Sequence, residues 1–402
     1  MSAADGYPAL SRRVTLLLLA SLTVMSSATI APSMPHMAEV FSGTPNAEFL
    51  TKLILTTPAL AIVLFAPLAG AIVDRFGRLR FLHANLVLYG FAGASGFVLD
   101  DLHQILVGRA LLGIAVGGTM TTVSALTGDY FSGEARTRYA GVQSLFMSLG
   151  TVVFIGLGGL LADIDWRSPF LLYLSAWLML IPVALHLEEP KRAARHGPAV
   201  GAPEQPLPVA TIALAYCIVL LSMIAYYMTP VQIPFYLRQL GVESSALAGL
   251  AIILSSLAAA AASFGYSRLR RRNGFLSIYA ISFALLAAGY AIIAAAAGYG
   301  VLLLGAIISG VGVGFIFPNA HLWVIALAPP RYRGRLAGGM TASLFLGQFL
   351  SPIVVQPAVP AFGLAGSFAL MAGALVVLAA LIFVLRHHVP RAEERAARGG
   401  SR

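Results

Sequence analysis

Apolar residues in this chain run in blocks of membrane-crossing length, broken by short polar stretches rich in arginine. The blocks fall at 14–35, 49–73, 81–99, 104–127, 139–162, 169–187, 208–230, 245–266, 275–297, 300–327, 337–358 and 364–386. A helix that crosses a bilayer needs ~20 mostly apolar residues. Glycine and proline inside several blocks do not argue against this, because membrane helices tolerate both. The pattern predicts an all-α integral membrane protein with twelve transmembrane helices.

Composition agrees. Hydrophobic residues make up 58% of the 402 positions and charged residues 10%, whereas a soluble domain carries roughly 25% charge. A net charge of +10 would suggest nucleic acid in a soluble protein. Here the basic residues sit in short loops, so topology accounts for them and no nucleic-acid partner is expected. The one cysteine, Cys217, allows neither an intrachain disulfide nor a cysteine metal site. No metal and no cofactor are expected. A Walker loop, an HExxH pair and an intramembrane aspartate pair are all missing, and the loops are too short for a catalytic domain, so the chain reads as no enzyme. Arg12-Arg13 followed by an apolar run mimics a signal peptide. The run continues through Pro32-Ser33-Met34-Pro35 with no convincing cleavage site, so it reads as the first membrane helix.

Placing the N-terminus in the cytoplasm puts 22 of the 26 Lys and Arg residues on that side. Only Lys52, Arg109, Arg167 and Arg238 lie elsewhere. By the positive-inside rule both termini are cytoplasmic, which also requires an even number of helices. The stretch 188–208 carries Glu188, Glu189, Lys191, Arg192 and five prolines. It reads as a cytoplasmic linker between a bundle over 1–187 and a second bundle with a short tail over 209–402. A weak repeat relates the two: Ala135-Arg136-Thr137-Arg138-Tyr139-Ala140-Gly141 resembles Tyr332-Arg333-Gly334-Arg335-Leu336-Ala337-Gly338, 197 positions later.

Between blocks 2 and 3 the chain reads Gly70-Ala-Ile-Val-Asp74-Arg75-Phe-Gly77-Arg78-Leu-Arg80. This resembles the signature loop of the major facilitator superfamily, G-x-x-x-D-R-x-G-R-[RK], at the place where that family has it. The resemblance covers essentially the whole chain, and it implies two pseudo-symmetric six-helix bundles. Gly70 would let helix 2 approach a neighbour, and Gly77 suits a turn with positive φ. The resemblance further implies that Asp74 caps the start of helix 11 and that Arg75 pairs with an acid at the inner end of helix 4, where Asp129 stands. Gly70, Asp74, Arg75, Gly77, Arg78 and Asp129 thus form an expected conformational latch. The matching loop of the second half, Phe264-Gly-Tyr-Ser-Arg268-Leu-Arg270-Arg271-Arg272, keeps the positive charge and lacks the aspartate.

Helix 4 carries Arg109-Ala-Leu-Leu-Gly113, similar to the family's R-x-x-x-G segment, which is associated with proton coupling. An ionisable group inside a span is costly and defaults to a functional reading. The competing reading is that Arg109 snorkels to the outer headgroups. The run Gly150 to Gly159 resembles the glycine-rich helix 5 of drug–proton antiporters, with Ile155 where they have proline. Helix packing explains the surviving glycines equally well. Asp165-Trp166-Arg167-Ser-Pro169-Phe170 resembles the usual W-R-x-P-F opening of helix 6.

No Asp or Glu falls deep within a predicted span. The proton, if one is coupled, is left to Asp129 or Asp74 near the inner face or to His321, whose ordinary pKa is near neutral. Cavity candidates are Thr23, Ser26 and Thr29 in helix 1, Tyr226, Tyr227 and Gln232 near helix 7, Asn319 and His321 beside Pro318 in helix 10, and Gln348 in helix 11. Pro318 is expected to break its helix locally. The resemblance implies a monomeric secondary transporter of the drug–proton antiporter branch. Its partners would be protons, the lipid bilayer and a small amphipathic solute such as a drug-like compound, sugar or siderophore. Metabolite uptake by symport, uncoupled facilitation and ligand sensing without flux stay open beside it. The alanine- and arginine-rich composition suits a bacterial inner membrane.

Overall fold

A computed structural model of the chain describes residues 8–190, 207–327 and 332–386, with the side chains of Ser27 and Arg333 excepted. Lys191, Arg192, Arg195, Arg331 and the arginines from 391 onward, counted above for orientation, lie outside the described residues, as does most of 188–208. Eleven helices among the described residues are long and apolar enough to cross a membrane. They are α1 (Leu10–Val40), α2 (Ala47–Phe76), α4 (Leu102–Tyr130), α5 (Gly133–Ala162), α6 (Ser168–His186), α7 (Val209–Gln239), α8 (Ser245–Arg272), α9 (Phe275–Ala294), α10 (Tyr299–Leu327), α11 (Gly334–Val355) and α12 (Ala358–Leu385). Between α2 and α4 stands a twelfth, α3 (Arg78–Ala94), of 17 residues, extended by a 3-10 turn over Ser95–Phe97. The twelve hydropathic blocks therefore correspond to twelve helices.

The chain divides into two compact units, Met1–Ala194 with Glu243–Ile253 and Arg195–Val242 with Leu254–Arg402. In the first, α3 and α6 pack through a ladder of small residues. A side chain at Gly90, Gly93 or Gly96 would collide with Trp177, Tyr173 or Phe170 respectively. These glycines recur every three residues on one face of α3, and each receives a large ring from α6. Without a hydrophobic force between helices in lipid, such close fitting supplies the association energy. Gly113 presses α4 onto α2 near Pro58 and Ala61 in the same way.

In the second unit α9 and α10 meet where Gly289 faces Gly305 and Ser309. Ring contacts tie α9 to its neighbours: Tyr279 lies 5.8 Å from Trp323, and Tyr290 lies 5.3 Å from Phe368 of α12. α12 kinks at Gly363, whose φ of 69° suits glycine. α10 runs through Pro318 without interruption. The expected local break there is absent, because a proline inside a helix sacrifices one hydrogen bond and can be carried by the turns around it.

Two helices are interrupted at corresponding positions. α1 is helical over Leu10–Ala28, tightens into a 3-10 turn over Ala31–Ser33 and resumes over Met34–Val40. α7 is helical over Val209–Tyr226, pauses at Tyr227 and resumes over Met228–Gln239. Pro32 and Pro230, the prolines at the two breaks, are 198 positions apart, against 197 for the arginine repeat. The carbonyls freed in α7 are not left bare: Tyr290 donates to Ala225 at 2.5 Å and Ser351 to Ile224 at 2.8 Å.

Candidate functional site

The richest polar cluster of the first unit gathers four helix ends at its basic side. Gly77, with φ 92°, separates α2 from α3. The exposed amides that begin α3 then point at one carboxylate: Glu189, just beyond α6, accepts from the backbone N–H of Arg78 at 2.7 Å and of Leu79 at 2.8 Å. Anions are favoured at a helix N-terminus by the orphan N–H groups and the dipole. A side chain at Gly77 would crowd Glu189 at 3.3 Å, so this glycine serves both the turn and the cap.

Arg78 carries the cluster to α4. Its Nε stands 2.5 Å from Asp129 Oδ2, and its Nη2 donates to Oδ1 at 3.3 Å. Arg12 of α1 forms an ion pair with Glu188 at 2.9 Å, donates from Nε to the His186 carbonyl at 3.1 Å and lies 4.9 Å from the Tyr130 ring. Tyr130, which ends α4, donates to the Glu188 carbonyl. Arg12, Arg78, Asp129, Tyr130, Glu188 and Glu189 thus join the ends of α1, α3, α4 and α6.

Two expectations for the latch change. The partner of Asp129 is Arg78 and not Arg75; Arg75 ends α2, is exposed and lies over the Phe76 ring at 5.5 Å. The reversal at Gly77 turns the chain between the two arginines, so only the later one faces α4. Gly70 meets no close neighbour among the described residues, since a Cβ there would meet nothing within 4 Å. Asp74 is exposed at the end of α2.

Arg109 is fully buried in the second turn of α4, so it does not snorkel to the headgroups. Its Nη2 donates to the Gly93 carbonyl at 2.6 Å, and its guanidinium lies 4.9 Å from the Phe170 ring and 4.6 Å from the Tyr173 ring. Arg167 performs a related task further out: it donates to the carbonyls of Phe97 and Leu99 and pairs with Asp100. The two arginines together satisfy carbonyls at the end of α3, where cations are favoured.

On the side away from the basic cluster, Asp163 closes α5 onto the start of α8. It accepts from the N–H of Ser245 at 2.5 Å, from the Ser244 hydroxyl at 3.0 Å and from the N–H of Ala246 at 3.3 Å. Gly159 permits the approach, for a Cβ there would lie 3.0 Å from Ala246. The surviving glycines of the helix 5 pattern thus serve packing: Gly150 and Gly158 face α1 at Ser21 and Thr29.

The cavity candidates separate by their partners. Thr23, Ser26 and Thr29 each return a hydrogen bond to their own helix, at 2.7, 2.8 and 2.6 Å. Asn319 is buried and satisfied, accepting from Tyr266 at 3.1 Å and donating to the Phe275 carbonyl at 3.0 Å; it holds α8, α9 and α10 together. His321, two residues on, is exposed. Tyr226 and Tyr227 meet edge to face at 5.8 Å, and Tyr226 reaches Phe317 at 6.5 Å. Gln348 is buried. Gln232 differs from the rest. It is fully buried one turn beyond the break in α7, and neither its Oε1 nor its Nε2 has a hydrogen-bond partner among the described residues.

Sequence reasoning missed three groups: Glu189, Asp163, and Lys52, which is fully buried and pairs with Glu48 at 2.6 Å. The first two act on backbone amides brought near by the fold. Lys52 carried a signal, as a lysine inside an apolar block four residues after a glutamate.

Eleven helices long and apolar enough to cross a membrane, with a shorter twelfth among them, define a multi-pass membrane protein. The chain belongs to the Major Facilitator Superfamily, whose family model matches residues 16–272 and 215–401. The bacillibactin exporter of Bacillus subtilis (strain 168) is 31% identical over 153 residues, 36% of this chain and 37% of that protein. Multidrug resistance protein 1 of the same organism is 29% identical over 136 residues, 33% of this chain and 35% of that protein. The chain thus spans about a third of the length of these curated relatives. In fold it matches the crystal structure of a D-xylose-proton symporter with a TM-score of 0.75 over 92% of this chain and 96% of that one, at 16% identity.

Proposed function

We propose that the protein is a secondary transporter that exports a small amphipathic organic compound by alternating access, drawing on the proton gradient. It would work as a monomer in the bacterial inner membrane with both ends in the cytoplasm. The observation that carries the reading is the pair of interrupted helices, α1 at Ala31–Ser33 and α7 at Tyr227. Interrupted helices at matching positions of two repeats are where transporters of this architecture bend around solute. Beside the second break stands the unpartnered Gln232 amide, a group that water or solute would satisfy. The relatives' names, an exporter of bacillibactin and a multidrug resistance protein, favour export over uptake.

In this reading the basic cluster is one latch and Asp163 another, on opposite sides of the first unit. Asp74 adds an exposed carboxylate to the first. Arg78 with Asp129 is the candidate proton element, because protonating Asp129 would release α3 from α4. Arg109 holds α3 to α4 further out and so couples the same two helices. His321, exposed on α10, is the second proton candidate.

Counterflow in liposomes tests the reading. Purified protein is screened over amphipathic compounds with and without an imposed pH gradient. Accumulation driven by the gradient and lost in Asp129→Asn is the expected result. Flux that ignores the gradient removes the proton from the mechanism, and binding without flux of any compound leaves a ligand sensor.

A further inference from the structure

The basic ends of the two halves differ in one respect. In the first, acids of the chain stand within the cluster: Asp129 pairs with Arg78, Glu188 pairs with Arg12 and Glu189 caps the start of α3, though Arg75, Arg80 and Arg136 form no ion pair among the described residues. The second half carries only three acids after residue 208, Glu243, Glu393 and Glu394. Glu243 stands at the far end of α8, and the other two lie outside the described residues. Yet α8 ends on Arg268, Arg270, Arg271 and Arg272. Arg270 is engaged, donating to the Asn273 carbonyl at 2.7 Å and stacking on Phe275 at 3.9 Å. Arg268, Arg271 and Arg272 are exposed and form no ion pair among the described residues. These three, with Asn273, Gly265, Leu269 and Phe315 of α10, line a cleft of about 540 Å³. Phe264, 82% exposed, stands directly before it on α8.

We infer that this cleft binds the headgroup of an anionic phospholipid, its phosphate held by Arg268, Arg271 and Arg272 and an acyl chain lying along Phe264 and Phe315. Guanidinium forks match phosphate oxygens two at a time. Basic pockets between membrane helices at the cytoplasmic face suit anionic headgroups. Topology alone would need positive charge at this helix end but no cleft. A lipid also fits better than free phosphate, because the lining is apolar on the side that continues down the helices.

Native mass spectrometry of the full chain in detergent, titrated with phosphatidylglycerol, phosphatidylcholine or inorganic phosphate, tests this. Phosphatidylglycerol should bind at least tenfold more tightly than phosphatidylcholine. Arg271→Gln, which leaves three arginines to hold the topology, should lose roughly fivefold, and Arg268→Gln/Arg271→Gln/Arg272→Gln on the order of a hundredfold. Arg136→Gln/Arg138→Gln, a basic pair in the first turns of α5, should change nothing. Equal lipid preference in the triple variant would overturn the site. So would binding of inorganic phosphate as tight as that of the lipid. A lipid preference that appears only in Glu393→Gln/Glu394→Gln would also overturn it, by showing that the tail's own acids fill the cleft.

Discussion

Gln232 sets two demands against each other. Its side chain is fully buried with both amide atoms unpaired among the described residues, and each unmet polar atom costs about 1–3 kcal/mol. Gln232→Leu keeps most of the volume and removes the polar atoms. The resting protein should become more stable, by about 1–2 kcal/mol, seen as a higher melting temperature in detergent. If the amide serves solute, transport should fall at least about tenfold, since a site built to hydrogen-bond discriminates strongly against a lost partner. A variant that gains stability and keeps its transport would make Gln232 a packing defect. Lys52 and Glu48 pose the opposite case. Lys52 is fully buried and Glu48 is 46% exposed. Removing one partner of a buried pair costs about 3–5 kcal/mol because the other charge is stranded, and the exposure of Glu48 brings the figure down to about 2 kcal/mol. Glu48→Gln, which takes the carboxylate away from the buried lysine, should therefore lower the melting temperature more than Lys52→Met, which leaves only the half-exposed acid. The reverse order would show that Lys52 does not depend on Glu48.

Helices are the scale at which the sequence was most legible. Twelve apolar blocks became twelve helices because length and hydropathy are local properties that the bilayer reads directly. Ends were less legible. The block assigned to 139–162 begins at Gly133, so Glu134, Arg136 and Arg138 ride on helix turns and not in a loop. The latch loop shows why partners fail to follow from spacing. Arg75 and Arg78 are three residues apart, but the positive φ at Gly77 sends one to the end of α2 and the other to the start of α3. Glu189 was invisible because the amides it caps lie 111 and 110 positions away. Its cap is testable as a helix-end contribution. Glu189→Ala should destabilise the protein by about 1 kcal/mol. Gly77→Ala should also cost about 1 kcal/mol, from forcing a Cβ into φ 92°. Because a Cβ at Gly77 would crowd Glu189, the double variant should cost less than the sum. Strict additivity in chemical denaturation would mean that the two residues act independently.

For the whole molecule, the side of the membrane that each helix end faces sets the direction of transport, because export becomes import when the protein is inverted. The sequence argues through arginine: 22 of 26 basic residues fall on one side, and positively charged loops are retained in the cytoplasm. α4 offers a ruler for the test. Its 29 residues extend about 43 Å at 1.5 Å per residue, more than the ~30 Å hydrocarbon core. The residues at its two ends must therefore emerge in different compartments. His103, 68% exposed in its first turn, marks one end. Glu134, 87% exposed in the first turn of α5, marks the other. With Cys217→Ala removing the native thiol, His103→Cys should react with a membrane-impermeant maleimide in intact cells. Glu134→Cys should react only after the membrane is opened. The reverse labelling would place the basic clusters outside, and the export reading would fall while the family assignment stood. Labelling of both in intact cells would break the twelve-helix count itself, since no continuous membrane helix can present both ends to one compartment.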